Sequence, residues 1–254
     1  MRAIYAIVLK ELRCDTSSLK FWAIIFFFLL FMGIFFFSYI DAFVGLTRSA
    51  HDSGSIAPNL SQMISSFFGI FHFILLLIVP AMTMGSFAEE HQKKTIKLLL
   101  SSPLLAIEVV SGKYLALMIS MTVVLLASCV FPLFLLVYGK PDYGLLLSCY
   151  LGIYLLLGSH LAFGMWISSL VQNQFVAFLF SMLGLFLLLI MNTVSETIKG
   201  NDMTHQILKY LGASDHLSSF LQGYLVISDL VYFFVFTAFF LSLTCLSYNT
   251  LKWK

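Results

Sequence analysis

Six apolar stretches, each long enough to cross a bilayer, alternate along this chain with short polar segments, and the pattern predicts an all-α polytopic membrane protein. The spans read from it are residues 21–40, 63–87, 114–138, 143–170, 175–192 and 230–251. The first carries no charge between Lys20 and Asp41. The following segment, Asp41 to Gln62, contains Arg48, His51, Asp52, Gly54 and Pro58 and reads as a loop outside the bilayer. Pro132 interrupts the third span and predicts a kink, tolerated where neighbouring helices re-satisfy the freed carbonyl. Between Asp142 and Glu196 there is no Asp, Glu, Lys or Arg, a length that holds two crossings, and Gln172-Asn173-Gln174 divides it with a tight turn.

Two amphipathic patterns lie outside the spans. Ile4, Ile7, Val8 and Leu12 share a helical face opposite Lys10, Glu11 and Arg13, which suits a short helix on the membrane surface. Leu217, Phe220, Leu221, Tyr224 and Leu225 follow the i, i+3, i+4, i+7, i+8 spacing within the mixed segment Thr193–Ser228 and predict a helix that re-enters or lies on the outer leaflet. An even number of spans puts both termini on one side. With the termini inside, ten Lys and Arg fall on inner segments and four on outer ones, so both termini are expected to be cytoplasmic.

Composition narrows the picture further. The 254 residues are 60% hydrophobic and 10% charged, against about a quarter charged in soluble domains, so a single membrane domain over 1–254 is expected. The amino-terminal charges and the lack of a nearby small-residue cleavage site read as a retained segment. Cys14, Cys129, Cys149 and Cys245 show no CxxC spacing and give neither a disulfide framework nor a metal site. A formal charge of +2 offers nothing to nucleic acid.

The residues form no recognised catalytic pattern. Ser111-Gly112-Lys113-Tyr114 has the Gly-Lys pair of a phosphate loop but Ile107 in place of its first glycine and Tyr114 in place of its hydroxyl. HExxH, GxSxG and intramembrane Asp pairs are missing, so the chain is not expected to be an enzyme by itself or to bind a cofactor. His72 and His160 are the ionisable groups inside spans and the pathway candidates, with an interhelical hydrogen bond as the plainer role.

The densest charge lies between Pro80 and Lys113, on the cytoplasmic side of the expected topology. Glu89 to Leu100 reads as a helix with acids at its start and Lys93, Lys94 and Lys97 towards its end. Glu89–Lys93 and Glu90–Lys94 are i, i+4 pairs, and Ser102-Pro103 is placed to cap and open the next helix. Such a segment is either a self-stabilised surface helix or a lever offered to a cytoplasmic partner.

The residues here carry a family resemblance. Pro80-x-x-Thr83-Met84-x-x-Phe87-Ala88-Glu89-Glu90, Thr95-x-x-Leu98-Leu99-x-Ser101-x-Pro103 and Gly112-Lys113-Tyr114 resemble the signature of type-2 ABC exporter permeases. Gly164-x-x-Ile167-Ser168-Ser169-Leu170, Asn173-Gln174, Phe220-x-x-Gly223 and Asp229 continue it in order, and the subgroup most similar is that of gliding-motility and nitrous-oxide-reductase-maturation permeases. The resemblance implies a six-helix subunit that pairs with a second or homologous permease in the bacterial inner membrane and binds an ABC ATPase, which holds ATP and Mg. It implies that Glu89, Glu90, Lys93, Lys94, Thr95, Leu98, Leu99, Ser101 and Pro103 belong to the coupling helix, and that short re-entrant helices precede the last span. Lys94 departs from the pattern, which usually has Gly there. Two other readings stand beside export: an ATPase-coupled complex that transmits force without a translocated solute, and a stand-alone channel or carrier.

Overall fold

The computed structural model describes residues 2–53, 59–95, 104–139, 141–197, 210 and 212–252. Those residues form helices α1 (Arg2–Ser17), α2 (Leu19–Ser53), α3 (Leu60–Thr83), α4 (Ala88–Gln92), α5 (Ala106–Ser128), α6 (Val130–Tyr138), α7 (Tyr143–Leu170), α8 (Gln174–Thr197), α9 (Ala213–Leu221) and α10 (Ile227–Lys252). Six helical segments are long and apolar enough to cross a membrane, with α5 and α6 forming one of them. The end of the bundle that carries α1 and α4 is termed proximal here, and the end that carries α9 distal.

Several boundaries move. The segment expected as a loop from Asp41 continues α2 as far as Ser53, because polarity marks exit from hydrocarbon while only a breaker ends a helix. Residues 41–53 contain no Pro, and Thr47 and Ser49 return their hydroxyls to the carbonyls of Phe43 and Gly45. At about 1.5 Å per residue, the 35 residues of α2 outrun the bilayer core. The third span begins at Ala106, eight residues before Tyr114, and Pro103, expected to open it, lies outside the described residues. The Leu105 N–H is met by the Glu108 carboxylate at 3.2 Å. The Pro132 kink takes form as a break at Cys129, since proline has no N–H to offer the Ser128 carbonyl. Leu133 N resumes the ladder on Cys129 O at 3.1 Å.

The helix anticipated through Leu225 closes early, at Leu221. Gly223 takes a positive φ of 86°, and Tyr224 N turns back to Ser219 O at 2.9 Å, the geometry of a glycine helix end. Tyr224 and Leu225 leave the apolar stripe and are exposed.

The centre of the bundle is α7, buried along most of its length. It packs on α3, α8, α9 and α10, while α2, α8 and α10 turn apolar side chains such as Phe26, Phe180 and Phe234 outward, as suits a hydrocarbon solvent. Close approach to α7 depends on Gly164, where a Cβ would come within 2.3 Å of Thr83 Oγ1 on α3. The amino-terminal helix expected on the membrane surface has a protein partner. Ile7 packs at Gly112, Glu11 meets Lys113 and the Ser120 hydroxyl bonds Asp15 at 2.9 Å, so α1 runs beside the first turns of α5.

Candidate functional site

At the proximal end the chain leaves α3 through an elbow, Met84 to Phe87, and enters α4. Pro80 has no N–H to offer the Leu76 carbonyl one turn earlier, and Met84 N and Ser86 N close the helix on Pro80 O and Thr83 O, both at 3.0 Å. Phe87 stands at the N-cap of α4 and has no side chain able to cap it. The cap comes from α7: the Ser168 hydroxyl accepts from Phe87 N and Ala88 N, each at 3.1 Å, and donates to Met84 O at 3.2 Å. One buried hydroxyl thereby uses its donor and both acceptor positions on the elbow.

Phe87 is 1% exposed and fills a socket between helices. Its ring lies 6.2 Å from that of Tyr248 on α10, and the Lys113 ammonium of α5 sits 5.1 Å from its centroid. Lys113 is itself 4% exposed. Its three N–H groups have three acceptors: Ser86 O at 2.7 Å, Glu90 Oε1 at 2.8 Å and Glu11 Oε1 at 3.2 Å. Lys10 approaches the same Glu11 oxygen at 3.1 Å and Glu90 Oε1 at 3.7 Å. Four charges from α1, α4 and α5 thus interlock beside a cavity of about 550 Å³ that Gly85, Lys93 and Leu104 also line.

Burial alone would raise the Glu11 carboxyl, but Lys113 and Lys10 together hold it below the ordinary carboxylate range. Burial raises Asp15, one turn on, against the opposing hydrogen bond from Ser120. Its folded value lies above the unfolded one, so its contribution to stability is full at low pH and is lost as pH rises through the folded value. Asp15→Asn, which keeps an acceptor for Ser120, is expected to raise the midpoint of thermal unfolding at neutral pH and to leave it unchanged in acid. A lower midpoint at neutral pH would reject this account.

The structure alters the expected coupling helix. Among the described residues it runs only from Ala88 to Gln92, and Lys93 to Thr95 form a turn. The Glu89–Lys93 pair forms at 2.6 Å on the surface, where such pairs contribute little. The Glu90–Lys94 pair does not form, because the buried ammonium of Lys113 draws Glu90 inward and Lys94 leaves the helical path with φ 57°. Thr95 turns its hydroxyl to Glu90 O at 3.4 Å. Leu98, Leu99, Ser101 and Pro103 lie outside the described residues.

A left-handed helix end is where glycine costs least, so the departure from glycine at Lys94 falls on the one described non-glycine residue with positive φ. Lys94→Gly is expected to stabilise the fold by about 1 kcal/mol and Lys94→Val to destabilise it by a similar amount. Thermal unfolding of the purified chain reads both, and equal midpoints would reject the strain.

His72 and His160 meet between α3 and α7, with rings stacked at 5.7 Å and 20°. They lie at mid-helix, away from the elbow. No group of three or more metal-ligating side chains occurs among the described residues. Sequence reasoning missed the roles of Ser168, Lys113, Phe87 and Glu11. A lone lysine eight residues into an apolar helix was the available signal for Lys113, whereas nothing local marks Ser168 among several serines.

A family model described as ABC-2 family transporter protein matches residues 5–250. No curated protein matches the chain.

Proposed function

The chain belongs to the ABC-2 family of transporter proteins, and from that premise we propose that it is the membrane subunit of an ATP-driven exporter, worked by a separate ABC ATPase that docks on residues 84–95. The ATPase holds ATP and Mg, and two copies of this chain, or this chain and a homologue, form the membrane unit. The excess of Lys and Arg on proximal segments supports a cytoplasmic proximal end with both termini inside a bacterial inner membrane. The finer likeness to gliding-motility and nitrous-oxide-reductase-maturation permeases belongs to the same proposal.

The observation that carries the reading is the convergence of Ser168, Lys113 and Tyr248, from three different spanning segments, on Ser86 to Glu90. A push on the exposed side of α4 is delivered at one point to α5, α7 and α10, and through Glu11 to α1. The break at Cys129 and the turn at Gln172–Gln174 give those helices places to pivot between inward-open and outward-open arrangements. His72 and His160 remain pathway candidates within the moving pair α3 and α7.

Glu90→Ala removes a charge-assisted bond of about 1.5–3 kcal/mol, so transport per ATP should fall roughly ten- to a hundredfold while hydrolysis continues. The assay is transport and hydrolysis together in liposomes with the cognate ATPase; full coupling in the variant would refute the assignment. Stimulation of hydrolysis by a solute supports export. Stimulation only by an outer protein overturns export in favour of force transmission, and transport without any ATPase overturns both.

A further inference from the structure

We propose that His216 and Asp229 form a proton-dependent latch that holds α9 shut in the distal end of the bundle. The outward direction of that end rests on the orientation proposed above. Helix α9 is seated as a plug. A Cβ at Gly152 of α7 would come within 2.5 Å of Phe220 Cβ, so the last turn of α9 lies directly on the α7 backbone. The carbonyls at its end, which no further helical turn satisfies, are met by spanning helices: Ser148 of α7 donates to Phe220 O at 2.9 Å, and Ser65 of α3 to Leu221 O at 2.6 Å.

These neutral bonds tie one end of the plug, and the other is tied by charge. His216 Nδ1 lies 2.7 Å from Asp229 Oδ1 in the first turn of α10, and His216 Nε2 lies 3.1 Å from Tyr210 O. The imidazole stacks on Tyr232 at 4.0 Å, and both His216 and Asp229 are more than nine-tenths buried. A neutral imidazole has one N–H, and here both ring nitrogens face oxygen acceptors. The two bonds coexist while the pair keeps its shared proton, as imidazolium facing carboxylate or as neutral imidazole accepting from the Asp229 carboxyl. Removing the proton costs one bond and leaves a buried carboxylate without its counter-charge.

Loss of the shared proton breaks one of the two bonds, so the latch holds at low outer pH and loosens as the pH rises. The titratable groups set around it are Asp229 and Tyr232 of α10 and Tyr210, with Asp215 beside it on α9 and Cys149 of α7 under the last turn. The ionisable residues of α3 and α9's other neighbour α8 are His72, at mid-helix, and Glu196.

Cys149 supplies the readout. It is fully buried, with its Sγ 3.8 Å from Phe220 O, and becomes accessible only when α9 lifts. The full chain in lipid nanodiscs, with Cys14→Ser, Cys129→Ala and Cys245→Ala, is labelled by a maleimide between about pH 5.5 and 8.5. Each rate is divided by that of the same thiol in the denatured chain at the same pH. The corrected rate should rise about tenfold across this range, as expected for the loss of one buried hydrogen bond. His216→Gln should label fast at every pH. Ser148→Ala, which loosens the plug without touching the latch, should label faster throughout yet keep the rise, and it guards against a variant that merely misfolds. A flat corrected rate in the parent, or an unchanged rise in a folded His216→Gln chain, overturns the latch. Labelling needs no ATPase, so it stands apart from the test of export; in sealed vesicles an impermeant maleimide that reaches Cys149 only from the inside would overturn the orientation instead.

Discussion

Replacing Lys113 by Met should destabilise the folded chain by about 3–5 kcal/mol, the usual cost of removing one partner from a buried ion pair. Methionine keeps the length of the stem, so the loss reports the charge and not the volume. Glu90 and Glu11 would be left facing one another without the ammonium that now bonds both, and Ser86 O would lose its donor at 2.7 Å. Thermal unfolding of the purified chain should shift down by roughly 10 °C. Adding Glu11→Gln and Glu90→Gln should recover part of the loss, because no uncompensated charge then remains. A single variant within about 1 kcal/mol of the parent would show that Lys113 is solvated and that the clamp does not exist.

Acid should loosen the same joint. The Glu11 carboxyl is held below its ordinary range, so its stabilising contribution is present above the ordinary carboxylate value and is lost as pH falls through the lowered folded value. Mild acidity therefore leaves the clamp intact, and only stronger acid releases α1 from α5.

Ser168→Ala should cost roughly 2–5 kcal/mol, since it strands two buried amide donors and one carbonyl at the elbow. The loss is local. Hydrogen exchange at Phe87 and Ala88 should accelerate strongly while exchange in the middle of α7 stays slow, and coupling of transport to hydrolysis should fall with it. Unchanged protection of the two amides would mean that the hydroxyl is not their cap.

The two variants also show why one part of the site could be read in advance and another could not. Glu89 and Glu90 stand out in the chain because charge is scarce around them, and the same scarcity predicts which segment lies outside the bilayer. Sequence distance then misassigns their partners. Lys94 is four residues from Glu90 and looks like its mate, yet Lys113, twenty-three residues away on another helix, holds the carboxylate. A buried ammonium with no water to solvate it outbids an exposed one. Ser168 is harder still to foresee, because a hydroxyl in an apolar helix usually returns to its own backbone, as Ser169 does to Trp166 O at 2.6 Å.

The order of six crossings, the break near Pro132 and the start of α7 after Asp142 were fixed by local chemistry: bilayer thickness sets the run length, proline lacks a donor, and an Asp side chain caps the amide two residues on. The early end of α4, the seating of α1 along α5 and the convergence on Phe87 were decided only in three dimensions. Each of these depends on which helix lies opposite. An apolar helix is indifferent to lipid or protein around it, so its residues alone do not choose the neighbour.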